Sequence, residues 1–394
     1  MNYDMPFCEK EFMISEIADA IRKATKRSTA QLHQPVFNGN EWLYLKDCLD
    51  SSFVSSVGTY VSEFEKKIAQ YTGAVHAIAT VNGTAALHLA LIVAGVNADE
   101  EVLVPSMTFV ATANAVSYVN AKPHFIDCSE KNFGIDPILL RAHLEKISEV
   151  RNGICINKET GRIIRALVPM HVFGHPCDII ELKEIADEFQ IIMIEDAAES
   201  LGSFYREKHT GTFGRMGVIS FNGNKTITTG GGGVIITNDD EIAESARFLS
   251  TTAKEQHPYA YVHTKVGYNY RMPNLNAALG CAQLEELPKI LRSKRKLTSE
   301  YKNAFSRVKN IQFLDDSNFP DSNFWLQTLL LNENYSQYRD AIIEGCIEAG
   351  FQVRPAWSPI HSLPMYSNLP STKLSNTINL SKRIINLPSG MGLT

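Results

Sequence analysis

The chain has 394 residues, 44% hydrophobic and 21% charged, with a formal net charge of −5 and no basic block. This is the balance of a globular protein with a large buried core, and it argues against a nucleic-acid partner held through its phosphates. Seven cysteines at irregular spacing, none in a C-x-x-C pair, fit reduced thiols rather than a disulfide framework or a zinc site.

Asp4, Glu9, Lys10, Glu11 and Glu16 interrupt the N-terminal apolar residues, which does not fit a signal peptide. Residues 9–24 carry Met13, Ile17, Ile21 and Ala24 at helical spacing and predict a short amphipathic helix. A polar stretch from Lys23 to Gln34 follows, so residues 1–35 read as a helical extension. Strand-like and helical runs then alternate. Strands are predicted at His76–Val81, Glu101–Val104, Pro123–Asp127, Ile164–Val168, Ile191–Ile194, Val218–Phe221 and Val234–Thr237. Helices are predicted at Thr84–Ala94, Phe109–Val119 and Ile179–Glu188. The longest near-apolar run, Ala85 to Val96, is too short to span a bilayer. Alternation of this kind predicts a large α/β domain with a mostly parallel sheet over residues 36–255. Helical segments near 273–306 and a proline-containing region after them read as a smaller α+β domain over 256–394. The expectation is a soluble, cytoplasmic protein without a membrane partner.

Ligands of open α/β sheets gather at the carboxyl ends of the strands. Four stretches at such ends stand out. Asn82-Gly83-Thr84-Ala85 lies between a strand and a helix, where free backbone N–H groups and the Thr84 hydroxyl suit an anion. Thr84 has the alternative reading of a plain helix cap. Ser106-Met-Thr-Phe109 places an aromatic where it can cover a planar group or join the core. Ile194-Glu195-Asp196-Ala197-Ala198-Glu199 ends a strand in carboxylates, one of which can keep a ring nitrogen protonated or cap a helix. The fourth stretch, Ser220 to Gly233, sets Lys225 among small residues before a run of four glycines. A desolvated lysine is an amine nucleophile able to form a Schiff base. The order of lysine before glycines is not that of a phosphate-binding P-loop.

Taken in order, these pieces resemble pyridoxal-phosphate enzymes of the aspartate-aminotransferase fold type. More narrowly, the chain resembles the DegT/StrS family of nucleotide-sugar aminotransferases from about Pro35 to its C-terminus. The resemblance is carried by Val54-Ser-Ser-Val-Gly58, Asn82-Gly83-Thr84-Ala85-Ala86-Leu87, Val104-Pro-Ser-x-Thr-Phe-Val-Ala-Thr112 and Val168-Pro-x-His171-x-Phe-Gly174. Glu195-Asp-Ala-Ala198, Ser220-Phe-x-x-x-Lys225 and Gly267-Tyr-Asn-Tyr-Arg271 continue it. It implies that Lys225 is the catalytic Schiff-base lysine and proton shuttle, that Asp196 pairs with the pyridinium nitrogen, and that Phe109 stacks on the ring. Gly83, Thr84, Ala85 and Ser220 would hold the phosphate. Asn269 resembles a residue donated by the neighbouring subunit, which implies a homodimer with shared sites. The implied reaction moves an amino group from glutamate to C4 of a 2-acetamido-2,6-dideoxy-4-keto nucleotide sugar, for surface-glycan or amino-sugar biosynthesis.

Three departures from the commonest pattern matter. Glu199 stands where Gln or His is usual, Gly231 stands where Glu is usual in Thr229-Gly-Gly-Gly-Gly233, and the N-terminal segment is long. All three resemble the subgroup associated with 4-amino sugars of the legionaminic-acid type. Glu199 could reach the cofactor's 3′-oxygen or be neutralised by protonation. Arg271, Trp357 and His361 are candidate substrate contacts, each with a packing role as the alternative. His171 and His175 are separated by the helix breakers Gly174 and Pro176, so no metal site is expected. Other readings of the scaffold are a sugar dehydratase, which would carry histidine in place of the lysine, a non-catalytic regulator, and a lysine aldolase with no need of Asp196.

Overall fold

The computed structural model describes residues 7–393. Helices α1 (Phe7–Thr25), α2 (Glu41–Asp50) and α3 (Thr59–Thr72) precede strand β1 (His76–Thr80). Then come α4 (Gly83–Val93), β2 (Glu101–Pro105), α5 (Val110–Tyr118), β3 (Lys122–Ile126) and α6 (Pro137–Ile147). A hairpin of β4 (Ser148–Arg151) and β5 (Ile154–Asn157) leads to β6 (Ile164–Leu167), α7 (Ile179–Glu188) and β7 (Ile192–Asp196). A second hairpin, β8 (Phe204–Tyr205) and β9 (Lys208–His209), precedes β10 (Met216–Ser220), β11 (Gly233–Thr237) and α8 (Asp240–Ser250). The remaining elements are α9 (Asn274–Phe305), β12 (Ile311–Leu314), β13 (Gln327–Leu331), α10 (Arg339–Glu348), β14 (Arg354–Pro355), α11 (Ser375–Ser381) and β15 (Ile384–Leu387).

Seven strands form one sheet in the order β1-β11-β10-β7-β6-β2-β3. Only β11 runs against its neighbours; the β10–β7, β7–β6, β6–β2 and β2–β3 pairs are all parallel. The strands are apolar on both faces, as a helix-covered parallel sheet requires. Thus the mostly parallel α/β architecture expected from the alternation is present. Every predicted strand and helix of the first 237 residues is found, each within about two residues of its expected ends. Helices α2, α3, α6 and α8 and the β4–β5 hairpin are additions that the alternation did not single out.

A four-stranded antiparallel sheet, β12-β13-β15-β14, lies in the C-terminal part of the chain. The apolar stripe of α1, with Ile17, Ile21 and Ala24 fully buried, packs in one core with Leu297, Tyr301, Phe351 and Ile385. The N-terminal helix is therefore built into the second core rather than standing apart from the body. Helix α9 links the two sheets. Ala277, Cys281 and Leu287 at its start pack with Phe64 of α3, whereas Leu297, Tyr301 and Phe305 at its end join the core containing α1. No helix among the described residues is long and apolar enough to cross a membrane.

Candidate active site

Because β11 is the one reversed strand, its first residue lies at the sheet edge where the others end. The register sets Gly233 opposite both Thr80 and Ser220. The carboxyl ends of β1, β2, β7 and β10 therefore converge, as ligand sites of open sheets require. They surround a cleft of about 300 Å³. Gly83, Thr84, Phe109, Asp196, Glu199, Ser220, Lys225 and Trp357 of the predicted residues line it, joined by Asn82, Thr112, Met170, Asn222, Asn224 and Trp325.

One end of the cleft is an anion cradle. Helix α4 starts at Gly83, and its cap is Asn82, whose Oδ1 accepts from the Ala85 N–H at 2.7 Å. Thr84 is thus not the cap, and Ala85 has its N–H already engaged. That leaves the helix N-terminus, the Thr84 side chain and the Ser220 hydroxyl to face a ligand. Glycine is required here by space. A Cβ on Gly83 would lie 2.9 Å from Ser220 Cβ, and one on Gly233 would lie 2.5 Å from the Asn82 carbonyl. A Cβ on Gly231 would meet only the Val81 carbonyl oxygen, at 3.7 Å, so packing does not impose glycine at this position.

At the floor, Asp196 ends β7 and is almost fully buried. Thr112 donates to its Oδ2 at 2.7 Å and the Ala198 N–H to its Oδ1 at 3.2 Å, while the Asp196 backbone is tied to Pro169 and His171. Burial pushes its carboxyl up; Thr112, Ala198, Lys225 and His171 oppose that and favour the anion. Its neighbour Glu195 is structural. It accepts from the backbone N–H groups of Gly211, Phe213 and Gly214 and faces His171 Nε2 at 3.1 Å. Burial alone would lower the His171 imidazole, but Cys177 and Glu195 raise it to about 10.

Lys225 lies on the loop after β10, with a side chain that is 12% exposed. Its Nζ is 3.1 Å from Glu199 Oε1 and 4.1 Å from the centre of the Trp325 ring. Glu199 is buried and accepts the Phe173 N–H on its other oxygen at 2.9 Å. Phe173 adopts φ +57°, a left-handed conformation costly for a bulky residue, which directs its N–H to the carboxylate. Burial raises the Glu199 carboxyl to about 7 even with Lys225 and Phe173 pulling it down. Trp325 donates its indole N–H to the Asn224 carbonyl at 2.7 Å. Nothing in the local sequence of Trp325 marks it, since the groups its indole meets, Asn224 and Lys225, lie about a hundred positions earlier.

Phe109 caps α5 and is half-exposed on the cleft rather than part of the core, with its ring centre 6.4 Å from Trp357. Trp357 also packs on Phe173 at 5.0 Å. Four candidates are not among the lining residues: Ala85, whose N–H is taken by Asn82, and three others. His361 bonds Ser106 Oγ at 2.7 Å; Arg271 donates to the Ser56 carbonyl at 3.2 Å; Asn269 is exposed beside an isolated bridge to Thr251. His175 stacks on Phe319 and is held neutral by burial, and no cluster that could hold a metal occurs among the described residues.

The donor set fits pyridoxal phosphate. Oxyanion donors stand at one end where no Cβ would fit, a buried carboxylate is free to pair with a ring N–H, an aromatic flanks the space, and an amine faces into it.

A sequence profile of the DegT/DnrJ/EryC1/StrS aminotransferase family matches residues 37–394. The chain is 37% identical over 361 residues to a GDP-perosamine synthase of Caulobacter vibrioides, covering 91% of this chain and 93% of that one. It is 36% identical to the Bacillus subtilis protein EpsN, assigned as a pyridoxal phosphate-dependent aminotransferase, covering 92% and 91%. The crystal structure of DesI with its TDP-sugar product superposes with a TM-score of 0.81 at 28% identity, covering 92% of this chain and 88% of that one. The chain belongs to the DegT/DnrJ/EryC1/StrS aminotransferase family.

Proposed function

We propose that the protein is a pyridoxal-phosphate-dependent aminotransferase of nucleotide-linked sugars. In this reading it moves the amino group of glutamate to C4 of a 2-acetamido-2,6-dideoxy-4-keto sugar. The observation that carries the proposal is the meeting, in one cleft, of the Lys225 amine, the buried Asp196 carboxylate and the Gly83–Ser220 cradle. Bound there, the cofactor supplies an electron sink for the pair left when a C–H bond at the amine-bearing carbon breaks. The chain's residues do the rest. Gly83, Thr84 and Ser220 would hold the phosphate; Asp196, fixed by Thr112 and the Ala198 N–H, would keep the ring nitrogen protonated; Phe109 would cover a ring face. Lys225 would hold the cofactor through its amine, and its Nζ would take and return the proton of the reacting carbon.

Nucleotide sugars are supported as substrates by the names of the relatives, a GDP-sugar synthase and an enzyme seen with a TDP-sugar. Position C4 and the legionaminic-type subgroup rest on Glu199, the all-glycine run and the N-terminal helix. Both half-reactions use one pocket, so kinetics are ping-pong. We place the enzyme in the cytoplasm as a homodimer, with Asn269 reaching the partner's cofactor. Exposed Trp42, Leu43, Phe53 and Val57, together with Tyr259, Tyr261 and Val266, supply apolar surface for that association.

A panel of 4-keto and 3-keto nucleotide sugars, offered with glutamate, tests the reaction. The expected result is an amino sugar from a 4-keto substrate with one 2-oxoglutarate released per amine. Loss of water without amine gain would assign a dehydratase instead, against which the presence of Lys225 already weighs.

A further inference from the structure

Lys294 is a buried lysine that the proposed chemistry leaves without a task. It lies in α9 and is 1% exposed. Burial lowers its ammonium to about 7. Three backbone carbonyls converge on its Nζ: Ser389 at 2.8 Å, Trp325 at 3.1 Å and Phe324 at 3.3 Å. Three acceptors at one nitrogen match the three N–H groups of an ammonium, and an amine would still serve two of them.

One of those carbonyls belongs to a strained residue. Phe324 has φ +49°, a left-handed conformation that is costly for a bulky side chain and persists only where the surroundings over-determine it. The turn it makes is held on both sides. Asn323 donates to the carbonyls of Glu199 and Leu201 at 2.8 and 2.9 Å and accepts the Trp325 N–H at 2.8 Å. Trp325 leaves the turn with its indole N–H on the Asn224 carbonyl and its ring centre 4.1 Å from Lys225 Nζ. Two helical turns beyond Lys294, on the same face of α9, Tyr301 donates to the Pro388 carbonyl at 3.0 Å. One helix face therefore fixes both the 324–325 and the 388–389 backbone. Through Ser389, whose N–H donates to the Leu32 carbonyl at 2.6 Å, the same anchor reaches the N-terminal segment.

We propose that Lys294 is a positioning residue: it bolts the strained Phe324 turn so that the Trp325 ring borders the Lys225 amine. Without its donors, three carbonyls would be left unpaired in the interior, and the turn would relieve that cost by letting Phe324 relax. A relaxed Phe324 moves the residue after it, and the indole leaves the amine. Trp325 acts by contact, as a wall that limits where Nζ can go, because small displacements of a reacting group are costly for rate. The inference rests on Lys225 being the reacting amine of the proposed function.

The test reads Trp325 and the reaction separately in the full-length protein. Adding Trp325→Phe to each background isolates the emission of Trp325 from that of Trp42 and Trp357. Lys294→Met keeps a chain of similar length and removes every donor. In the cofactor-free protein it should raise acrylamide quenching of the Trp325 emission by about twofold or more. In the cofactor-loaded protein it should lower kcat for amine transfer by about tenfold or more, with the nucleotide-sugar KM within about threefold. Trp325→Leu should lower kcat comparably, and adding Lys294→Met to it should cost less than about twofold more, since both changes remove one interaction. Leu144→Ala, a truncation in the separate core under α6, should lose stability but keep both readouts within about twofold of the parent. Unchanged quenching or kcat in Lys294→Met, an unchanged kcat in Trp325→Leu, or losses that multiply in the double variant would each overturn the proposal. Should Lys294→Met not fold, Lys294→Gln, too short to reach all three carbonyls, takes its place under the same criteria. A parent that transfers no amine counts against the proposed function, and the quenching measurement then decides the role of Lys294 alone.

Discussion

Glu199 shows how burial turns an ordinary side chain into an energetic liability held for use. Its carboxyl is raised from 4.5 to about 7, with burial as the main cause. The folded state therefore binds this proton more tightly than the unfolded chain does. The resulting stability is present below pH 4.5 and is lost as pH rises through 7. The full loss is about 3 kcal/mol at most. Urea denaturation of the cofactor-free protein should show stability falling between pH 5 and 8, with a shallower fall in Glu199→Gln. Parallel pH profiles would contradict that assignment. At this scale much of the site was readable. Gly83, Thr84, Phe109, Asp196, Glu199, Ser220 and Lys225 follow strand ends, and all line one cleft. Trp325 was not readable, because its place is set, besides its neighbour Asn323, by Lys294 and Asn224 from two distant segments. Nor was the cap: Asn82 and Thr84 are both good capping residues, and only the backbone entering α4 chooses Asn82.

Among the elements, α1 and α9 organise the second core. Helix α1 has the periodicity of an amphipathic helix, but periodicity does not name the surface that covers the stripe. Sequence distance made it look peripheral; in the structure Ile17 and Ile21 are completely buried against residues from beyond position 297. Ile17→Ala should then cost about 2–5 kcal/mol in chemical denaturation, the penalty of a large-to-small change in a packed core. A loss below about 0.5 kcal/mol, the usual size for an exposed site, would show that α1 is dispensable to the core. The parallel strands were legible because buried strands of β-branched residues alternate with helices at regular spacing. Helices α2 and α3 were not, as Trp42, Leu43 and Leu49 of α2 leave apolar side chains exposed and blur its polar face.

For the whole molecule, assembly is the property the site most depends on. Asn269 lies outside the cleft of its own chain, on a segment next to the exposed Val262 and Val266. If it serves the partner's cofactor, Lys225→Ala and Asn269→Ala lesions fall on different sites of a mixed dimer. Each variant alone should be nearly inactive, and co-refolded mixtures should recover about a quarter of parental activity, from dimers retaining one intact site. No recovery in a particle of about twice the 43.9 kDa chain mass would contradict the shared site.

The central claim is that Lys225 is the residue to which pyridoxal phosphate is joined. Reducing the purified, cofactor-loaded protein with borohydride and mapping the modified peptide tests it most directly. Absorption at about 420 nm should be lost, and one pyridoxyl-phosphate mass addition per chain should appear, at Lys225. A label on another lysine, or no label on a protein that still transfers amines, would contradict it.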